Sequence, residues 1–159
     1  MGGAGLSQPL PQAVLFACTA NTIRSPMAAA LLQLRFGPIV RVASVGVRAG
    51  EAIDPMAAEV MDEAGADLSR HRPRSFEALR EAVAGGDEAR FDLIVSLSPE
   101  AHHKALELVP AVAAAAEYWP TFDPSLTEGS REQVLLEYRT VRDGLEKRIG
   151  QRFQRPSTG

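Results

Sequence analysis

The segment VLFACTANTIRSPMAAALL, residues 14–32, decides the fold and contains the only cysteine of the chain, Cys18. Its first four residues are all apolar, which is typical of a short strand buried on both faces. Its second half opens with Ser25 and Pro26, an N-cap residue followed by a proline at the first helical position. The segment therefore predicts a strand, a loop over residues 18–24 and a helix.

The loop over residues 18–24, called the cysteine loop below, can bind an anion. Backbone N–H groups at a helix N-terminus lack partners, and the helix dipole favours negative charge there. Arg24 can hold two oxygens of one phosphate in a bidentate fork. The same positive field favours the nucleophilic thiolate form of Cys18. Because a lone cysteine beside a buried strand is also a common core residue, the spacing alone leaves both interpretations open.

Composition limits the classes of protein. A chain of 159 residues, 45% hydrophobic and 23% charged, suits one globular domain, and its net charge of −3 gives no overall attraction to nucleic acid or anionic membranes. No apolar run approaches the roughly 20 residues that span a bilayer, and residues 1–12 do not resemble a signal peptide. A single cysteine excludes an internal disulfide framework and a Cys-rich zinc site. We expect a cytoplasmic protein with no nucleic-acid or membrane partner, and the oligomeric state stays open.

The rest of the chain alternates between strand and helix patterns. We predict a single domain over 13–153, between flexible tails at 1–12 and 154–159. The predicted strands are 14–17, 39–44, 91–97 and 111–119, and the predicted helices are 25–36, 54–63, 76–84, 99–108 and 130–153. This alternation indicates an α/β fold with a parallel sheet, in which ligands bind at the carboxyl ends of the strands.

The cysteine loop resembles the phosphate-binding loop of the low-molecular-weight protein tyrosine phosphatase family, which includes arsenate reductase-like relatives. The shared pattern is a cysteine, five residues, an arginine and Ser-Pro. Four further segments are similar to family segments in the same order: VASVG (42–46), DLSRHRPRSF (67–76), FDLIV (91–95) and FDP (122–124). The resemblance implies a four-stranded parallel sheet of order 2-1-3-4, with helices on both faces and the phosphate-binding loop after strand one.

The resemblance also implies roles for single residues. Cys18 attacks phosphorus to form a cysteinyl-phosphate, Arg24 and the loop amides hold the phosphate oxygens, and Ser25 donates a hydrogen bond to the thiolate. Asn21 adopts a left-handed conformation through bonds that reach Ser44 and His71. The other loop residues, Thr19, Ala20, Thr22 and Ile23, contribute to phosphate binding. Neither a metal nor a cofactor is required.

Two Asp-Pro pairs compete for the role of general acid. Asp123 matches the family's acid, whereas Asp54 is predicted to cap the helix that begins at Pro55. We expect no helix immediately behind Asp123, and we therefore assign the acid role to Asp123.

The chain also departs from the family. Ala20 replaces a loop glycine, and Ile23 stands where many members carry a second cysteine. Ser125 and Leu126 stand where many members have a tyrosine pair that lines the cleft. Phosphate chemistry is therefore better supported than phosphotyrosine specificity.

Four aromatic or histidine residues near these segments have two interpretations each. Trp119 and Phe122 either line the cleft or only pack. His102 and His103 point about 100 degrees apart on a helix and are expected to be surface residues rather than ligands of one metal ion.

Three functions remain in competition. The leading one is a phosphomonoesterase that acts on phosphotyrosine proteins or small phosphate esters. Arsenate reduction is the second, and it needs an external small thiol because the chain has no further cysteine. The third is a non-catalytic protein that binds phosphate or phosphopeptides.

Overall fold

A computed structural model describes residues 10–154 as alternating strands and helices. The strands are β1 (Ala13–Cys18), β2 (Arg41–Gly46), β3 (Phe91–Ser96) and β4 (Ala113–Tyr118). The helices are α1 (Arg24–Phe36), α2 (Pro55–Glu63), α3 (Phe76–Ala84), α4 (Pro99–Leu108) and α5 (Arg131–Arg152), with one 3₁₀ turn at Pro124–Leu126. Residues 1–9 and 155–159, which make up most of the predicted tails, lie outside the described residues.

The four strands form one parallel sheet in the order β2-β1-β3-β4. Val14 of β1 lies opposite Val42 on one side and Leu93 on the other. The predicted fold class is therefore confirmed. Since β2 and β3 flank β1, the chain leaves β1 at the switch point, where sheets of this kind bind ligands.

The core explains the uninterrupted apolar run of β1. All six residues of the strand are buried because helices cover both faces of the sheet. Val14 and Phe16 belong to the core on the face of α1 and α5, whereas Leu15 and Ala17 belong to the core with residues of α3 and α4. No helix within residues 10–154 is long and apolar enough to cross a membrane.

Two predicted boundaries are wrong. β2 begins at Arg41 rather than at Ile39, whose side chain is exposed, and it extends to Gly46 opposite Cys18. Helix α1 begins at Arg24, and Ile23 occupies the N-cap position without a side-chain cap. Ser25 does not cap the helix because its hydroxyl contacts the sulfur of Cys18.

Other local predictions are confirmed. Asp54 caps α2, and its Oδ1 accepts hydrogen bonds from the amides of Met56 and Ala57. The alanine-rich segment 111–119, which fits a helix or a strand equally well by pattern, contains β4. Its pairing with β3 decides between the two, and helix or strand propensity does not.

The core makes one prediction about stability. Leu31 and Leu34 lie on α1 with side chains of the same size, but Leu31 is 2% exposed and Leu34 is 52% exposed. Leu31→Ala should lower the free energy of unfolding by about 2 to 5 kcal/mol, since it leaves a cavity in the core. Leu34→Ala should lower it by about 0.5 kcal/mol or less. Urea unfolding followed by circular dichroism measures both changes, and equal losses would contradict the assigned packing of α1.

Candidate active site

The carbonyl oxygens of the cysteine loop point away from its centre. Each of the six carbonyl groups from residue 18 to residue 23 accepts a hydrogen bond. The donors, in chain order, are the amides of Val47, Arg48 and Gly50, His71 Nε2, and the amides of Asp54 and Met27, at 2.8 to 3.1 Å. Five of these six donors lie outside the loop and helix α1, so tertiary contacts impose this orientation.

The amides of the loop point the opposite way. In a trans peptide unit the N–H and C=O bonds are antiparallel, so outward carbonyl oxygens turn the following N–H groups toward the centre of the loop. Within residues 10–154, no group accepts a hydrogen bond from the amides of residues 19–23. These converging donors lie at the N-terminus of α1 and are arranged to bind an oxyanion. The space that they surround is called the anion site below.

Cys18 lies at the base of this site, at the end of β1, and is 2% exposed. Its Sγ lies 2.9 Å from Ser25 Oγ, and the amide of Ser25 donates to the sulfur at 3.4 Å. The side-chain Nδ2 of Asn21 donates to Ser25 Oγ at 2.8 Å, which leaves the Ser25 proton for the sulfur or for the Val45 carbonyl. The sulfur therefore faces hydrogen-bond donors and is not enclosed by apolar side chains alone.

Asn21 holds the loop in shape. It is fully buried and has a φ of 59°, in the left-handed region that asparagine tolerates better than most residues. Its Nδ2 also donates to Ser44 Oγ at 2.9 Å, and His71 donates to its carbonyl oxygen at 2.8 Å. The structure thus brings Ser44 and His71 to Asn21. The amide of Arg74 donates to Asn21 Oδ1 at 2.8 Å, a contact that sequence reasoning missed.

Gly46 permits the loop to lie against β2. A Cβ atom at this position would lie 2.7 Å from the Asn21 nitrogen and 2.8 Å from the Ala20 carbonyl carbon. Both are backbone atoms, so no side-chain rotation relieves the clash. Gly46 ends the segment VASVG, which is similar to the family's serine segment. The sequence therefore pointed to this position, but the structure gives the reason why it is a glycine.

Arg24 links the cysteine loop to the loop over residues 119–123, called the Asp123 loop below. Its Nη1 donates to the carbonyl oxygen of Thr121 at 2.9 Å, and its Nη2 lies 4.0 Å from Asp123 Oδ2. The Arg24 side chain is 11% exposed and that of Asp123 is 29% exposed. The guanidinium is therefore held beside the anion site, with a carboxylate next to it.

The expectation that no helix follows Asp123 is wrong. Asp123 caps the 3₁₀ turn, and its Oδ1 accepts from the amide and the hydroxyl of Ser125 at 3.0 and 2.7 Å. The cap forms because a short 3₁₀ turn, invisible in the hydrophobic pattern, directly follows the Asp-Pro pair.

Asp54 and Asp123 also differ in the hydrogen bonds that their carboxylate oxygens accept. Both carboxylate oxygens of Asp54 are used, Oδ1 for the cap of α2 and Oδ2 to accept from the hydroxyl of Tyr138 at 3.1 Å. Burial of Tyr138 and this neighbouring carboxylate raise the pKa of Tyr138 above its ordinary value. Asp123 Oδ2 accepts no hydrogen bond from residues 10–154. That oxygen is the one available for proton transfer.

Arg48 and Glu100 form an ion pair at the rim of the anion site, at 3.0 Å between Nη1 and Oε2. The pKa of Glu100 lies below its ordinary range chiefly because Arg48 bonds to it, with smaller contributions from the Thr19 hydroxyl and the charge of Arg24. Thr19 Oγ1 also contacts Ser98 Oγ at 3.1 Å. Sequence reasoning missed this pair, because neither residue lies in a segment with a recognisable motif.

The aromatic and histidine side chains around the site differ in burial and packing. Trp119 is 3% exposed and packs on Phe16 and Phe153, whereas the Phe122 side chain is 54% exposed beside Asp123. His102 was expected to be a surface residue, but its ring stacks on the ring of Tyr118, with centroids 4.8 Å apart. His103 is exposed. The described part of the chain contains no cluster of three or more His, Cys, Asp or Glu side chains suited to a metal ion.

Comparison with known proteins gives consistent relatives. A family model described as low molecular weight phosphotyrosine protein phosphatase matches residues 13–156. A protein-arginine-phosphatase of Geobacillus stearothermophilus is 33% identical over 151 residues, covering 88% of this chain and 93% of the relative. An arsenate reductase of Bacillus licheniformis is 30% identical over 136 residues, with 86% and 91% coverage. An arsenate reductase structure in the oxidised state shares the fold with a TM-score of 0.68, at 24% identity and with 89% and 95% coverage.

The contact at Gly46 makes a prediction about anion binding. Gly46→Ala should displace the backbone at residues 19–21 and weaken binding of inorganic phosphate by a factor of about ten or more, about 1.4 kcal/mol. Gly144→Ala is the matched control, because a Cβ atom there meets no atom within 4 Å. Isothermal titration calorimetry measures both variants. Unchanged affinity in a folded Gly46→Ala protein would contradict the assignment of the anion site.

Proposed function

Because the chain belongs to the low molecular weight phosphotyrosine protein phosphatase family, we propose that it is a cysteine-dependent phosphatase that acts through a cysteinyl-phosphate intermediate. The observation that carries this proposal is the cysteine loop, whose inward amides surround the sulfur of Cys18. Its substrates are phosphorylated proteins or small phosphate esters. A cytoplasmic location stays a prediction from the sequence.

In the first step the thiolate of Cys18 attacks phosphorus. The S–P bond forms, the P–O bond to the leaving group breaks, and the departing oxygen takes a proton from Asp123. The loop amides and the guanidinium of Arg24 bind the three equatorial oxygens, on which charge develops. Their fixed positions support this role, since Arg24 is bonded to the Thr121 carbonyl.

In the second step a water molecule attacks the cysteinyl-phosphate. Asp123, now a carboxylate, accepts a proton from the water, the P–O bond forms, and the S–P bond breaks to release inorganic phosphate. Ser25 stabilises the departing thiolate by donating its hydroxyl proton to the sulfur, which lies 2.9 Å from its oxygen. Splitting one difficult hydrolysis into two transfers is the advantage of a covalent nucleophile.

Two phosphorylated residues are candidates for the substrate. Phosphotyrosine is the first candidate because of the family, although Phe122 is the single aromatic side chain that is exposed beside Asp123 among the described residues. Phosphoarginine is the second candidate because of the similarity to a protein-arginine-phosphatase that covers 88% of this chain. Both reactions use the same nucleophile and the same anion site.

Arsenate reduction is the competing activity because several relatives carry that name. Reduction of arsenate to arsenite takes two electrons, which two thiols supply when they become a disulfide. Cys18 is the only cysteine, so the second thiol would come from an external small thiol. Phosphate release from para-nitrophenyl phosphate, phosphotyrosine and phosphoarginine, measured beside arsenite formation with added glutathione, separates the activities. We expect phosphate release without arsenite formation.

The nucleophile is tested by two substitutions. Cys18→Ser should abolish turnover of para-nitrophenyl phosphate and still bind inorganic phosphate, because the amides and Arg24 remain. Arg24→Lys should lose most of the turnover, since an ammonium group cannot reproduce the planar fork. Steady-state rates and calorimetry measure these effects. Turnover in Cys18→Ser comparable to that of the parent protein would rule out Cys18 as the nucleophile.

The general acid is tested by the basicity of the leaving group. A general acid contributes about 10²- to 10⁴-fold, and its contribution grows as the leaving oxygen becomes more basic. Asp123→Asn should therefore slow phenyl phosphate hydrolysis more than para-nitrophenyl phosphate hydrolysis. Asp54→Asn is the matched control and should change both rates little, because asparagine also caps helices. A stronger dependence on the leaving group in Asp54→Asn would transfer the acid role to Asp54.

A further inference from the structure

A groove of about 330 Å³ lies between the Asp123 loop and helix α5, separate from the anion site. Its floor is apolar and consists of Trp119, Val141 and Leu145, which are 3%, 7% and 3% exposed. Phe122 lines one side with a half-exposed ring. The groove has the size of a site for one or two side chains of a bound peptide.

The groove shares the Asp123 loop with the candidate active site. Thr121 lines it, and the carbonyl oxygen of the same residue accepts the hydrogen bond from Arg24. Phe122 directly precedes Asp123, so their Cα atoms are about 3.8 Å apart. A molecule that occupies the groove therefore contacts the same loop that carries the proposed general acid.

The charges of the groove are of one sign. Lys147 and Arg148 are exposed on its α5 side, and no carboxylate lines it. Neither cation forms an ion pair with any residue in the range 10–154. Glu117, whose charge interacts with that of Arg148, is hydrogen-bonded to Arg152 and to the Trp119 ring nitrogen. Arg148 lies over the Trp119 ring, with its guanidinium carbon 5.1 Å from the ring centroid. Two cations and no carboxylate along the groove, in a chain of net charge −3, favour an anionic occupant.

We propose that this groove binds the segment of a phosphorylated protein substrate that flanks the phosphorylated residue, and that it selects acidic and apolar side chains. The apolar floor and the Phe122 ring take an aliphatic or aromatic side chain, while Lys147 and Arg148 pair with a carboxylate. The inference rests on the proposed phosphatase function and deepens it, because it assigns the enzyme to protein substrates rather than to small esters alone.

Gly144 provides a direct test because it lines the groove on α5 and has no side chain to fill it. A Cβ atom there meets no atom within 4 Å, so larger side chains enter open space without displacing the core. Gly144→Trp should close the groove. Gly144→Ala, which keeps it open, is the matched control.

Three substrates distinguish peptide binding in the groove from hydrolysis of the phosphate group itself. They are para-nitrophenyl phosphate, a phosphotyrosyl peptide with glutamate and leucine on both sides of the phosphotyrosine, and the same peptide with lysine and serine there. The parent protein should hydrolyse the acidic peptide with a kcat/KM about ten times higher than that of the basic peptide, as expected for two charge pairs and one buried side chain. Equal values for the two peptides would overturn the proposal, and so would hydrolysis of the small ester alone.

Substitutions in the groove test whether the preference for the acidic peptide arises there. Gly144→Trp and the double change Lys147→Glu with Arg148→Glu should each remove the tenfold preference and leave kcat/KM for para-nitrophenyl phosphate within about twofold. Arg80→Glu, which makes half of this charge change on α3, should keep the preference. A preference retained in both groove variants would overturn the proposal.

Failure of the proposed function gives a different result, namely no turnover of any of the three substrates. A second copy of the chain is the alternative occupant of the groove. Sedimentation velocity of the parent protein and of Gly144→Trp tests it. A dimer that dissociates in the variant would overturn the proposal, whereas a monomer in both supports it.

Discussion

The outward orientation of the cysteine-loop carbonyl groups is the constraint on which the rest of the site depends. Each of six consecutive carbonyl oxygens has a donor, and five of these donors come from residues 47–54 and from His71. The inward direction of the amides follows from peptide planarity alone. The inward set of donors is thus produced by contacts on the outer side of the loop.

The sheet supplies the geometry for those contacts. β1 is central and fully buried, and it delivers Cys18 to the edge where β2 ends beside it. Gly46 allows β2 to approach the loop at backbone distance, and the segment after Gly46 then donates to three successive loop carbonyl groups. On the opposite side of the loop, Arg24 reaches the Asp123 loop. Cys18 and the loop amides therefore lie at the carboxyl end of β1, and the proposed acid Asp123 follows the carboxyl end of β4.

The α/β class and the position of the loop were predictable from patterns that are local in sequence, whereas the strand order and the phosphate-binding role of the loop were predicted from the resemblance to the phosphatase family. The apolar run before Cys18 indicates a doubly buried strand, and the Ser-Pro pair indicates a nearby helix start. The start of α1 and the conformation behind Asp123 were predicted wrongly. In the first case a sulfur contact takes the Ser25 hydroxyl, and in the second a 3₁₀ turn of three residues has no hydrophobic period. The pairs Arg74–Asn21 and Arg48–Glu100 join residues about 50 apart, so no local pattern could reveal them.

The many long-range donors around the cysteine loop also determine when the site can form during folding. A fragment that contains only residues 14–32 holds Cys18, Arg24 and the amides, but of the six carbonyl partners it holds only Met27. The remaining contacts close chain segments of about 30 to 50 residues, whose loop entropy is recovered only when the sheet has formed and the segment that contains His71 has docked. Cys18, Arg24 and the loop amides are neighbours in sequence, yet they take up this arrangement only in the completed tertiary structure.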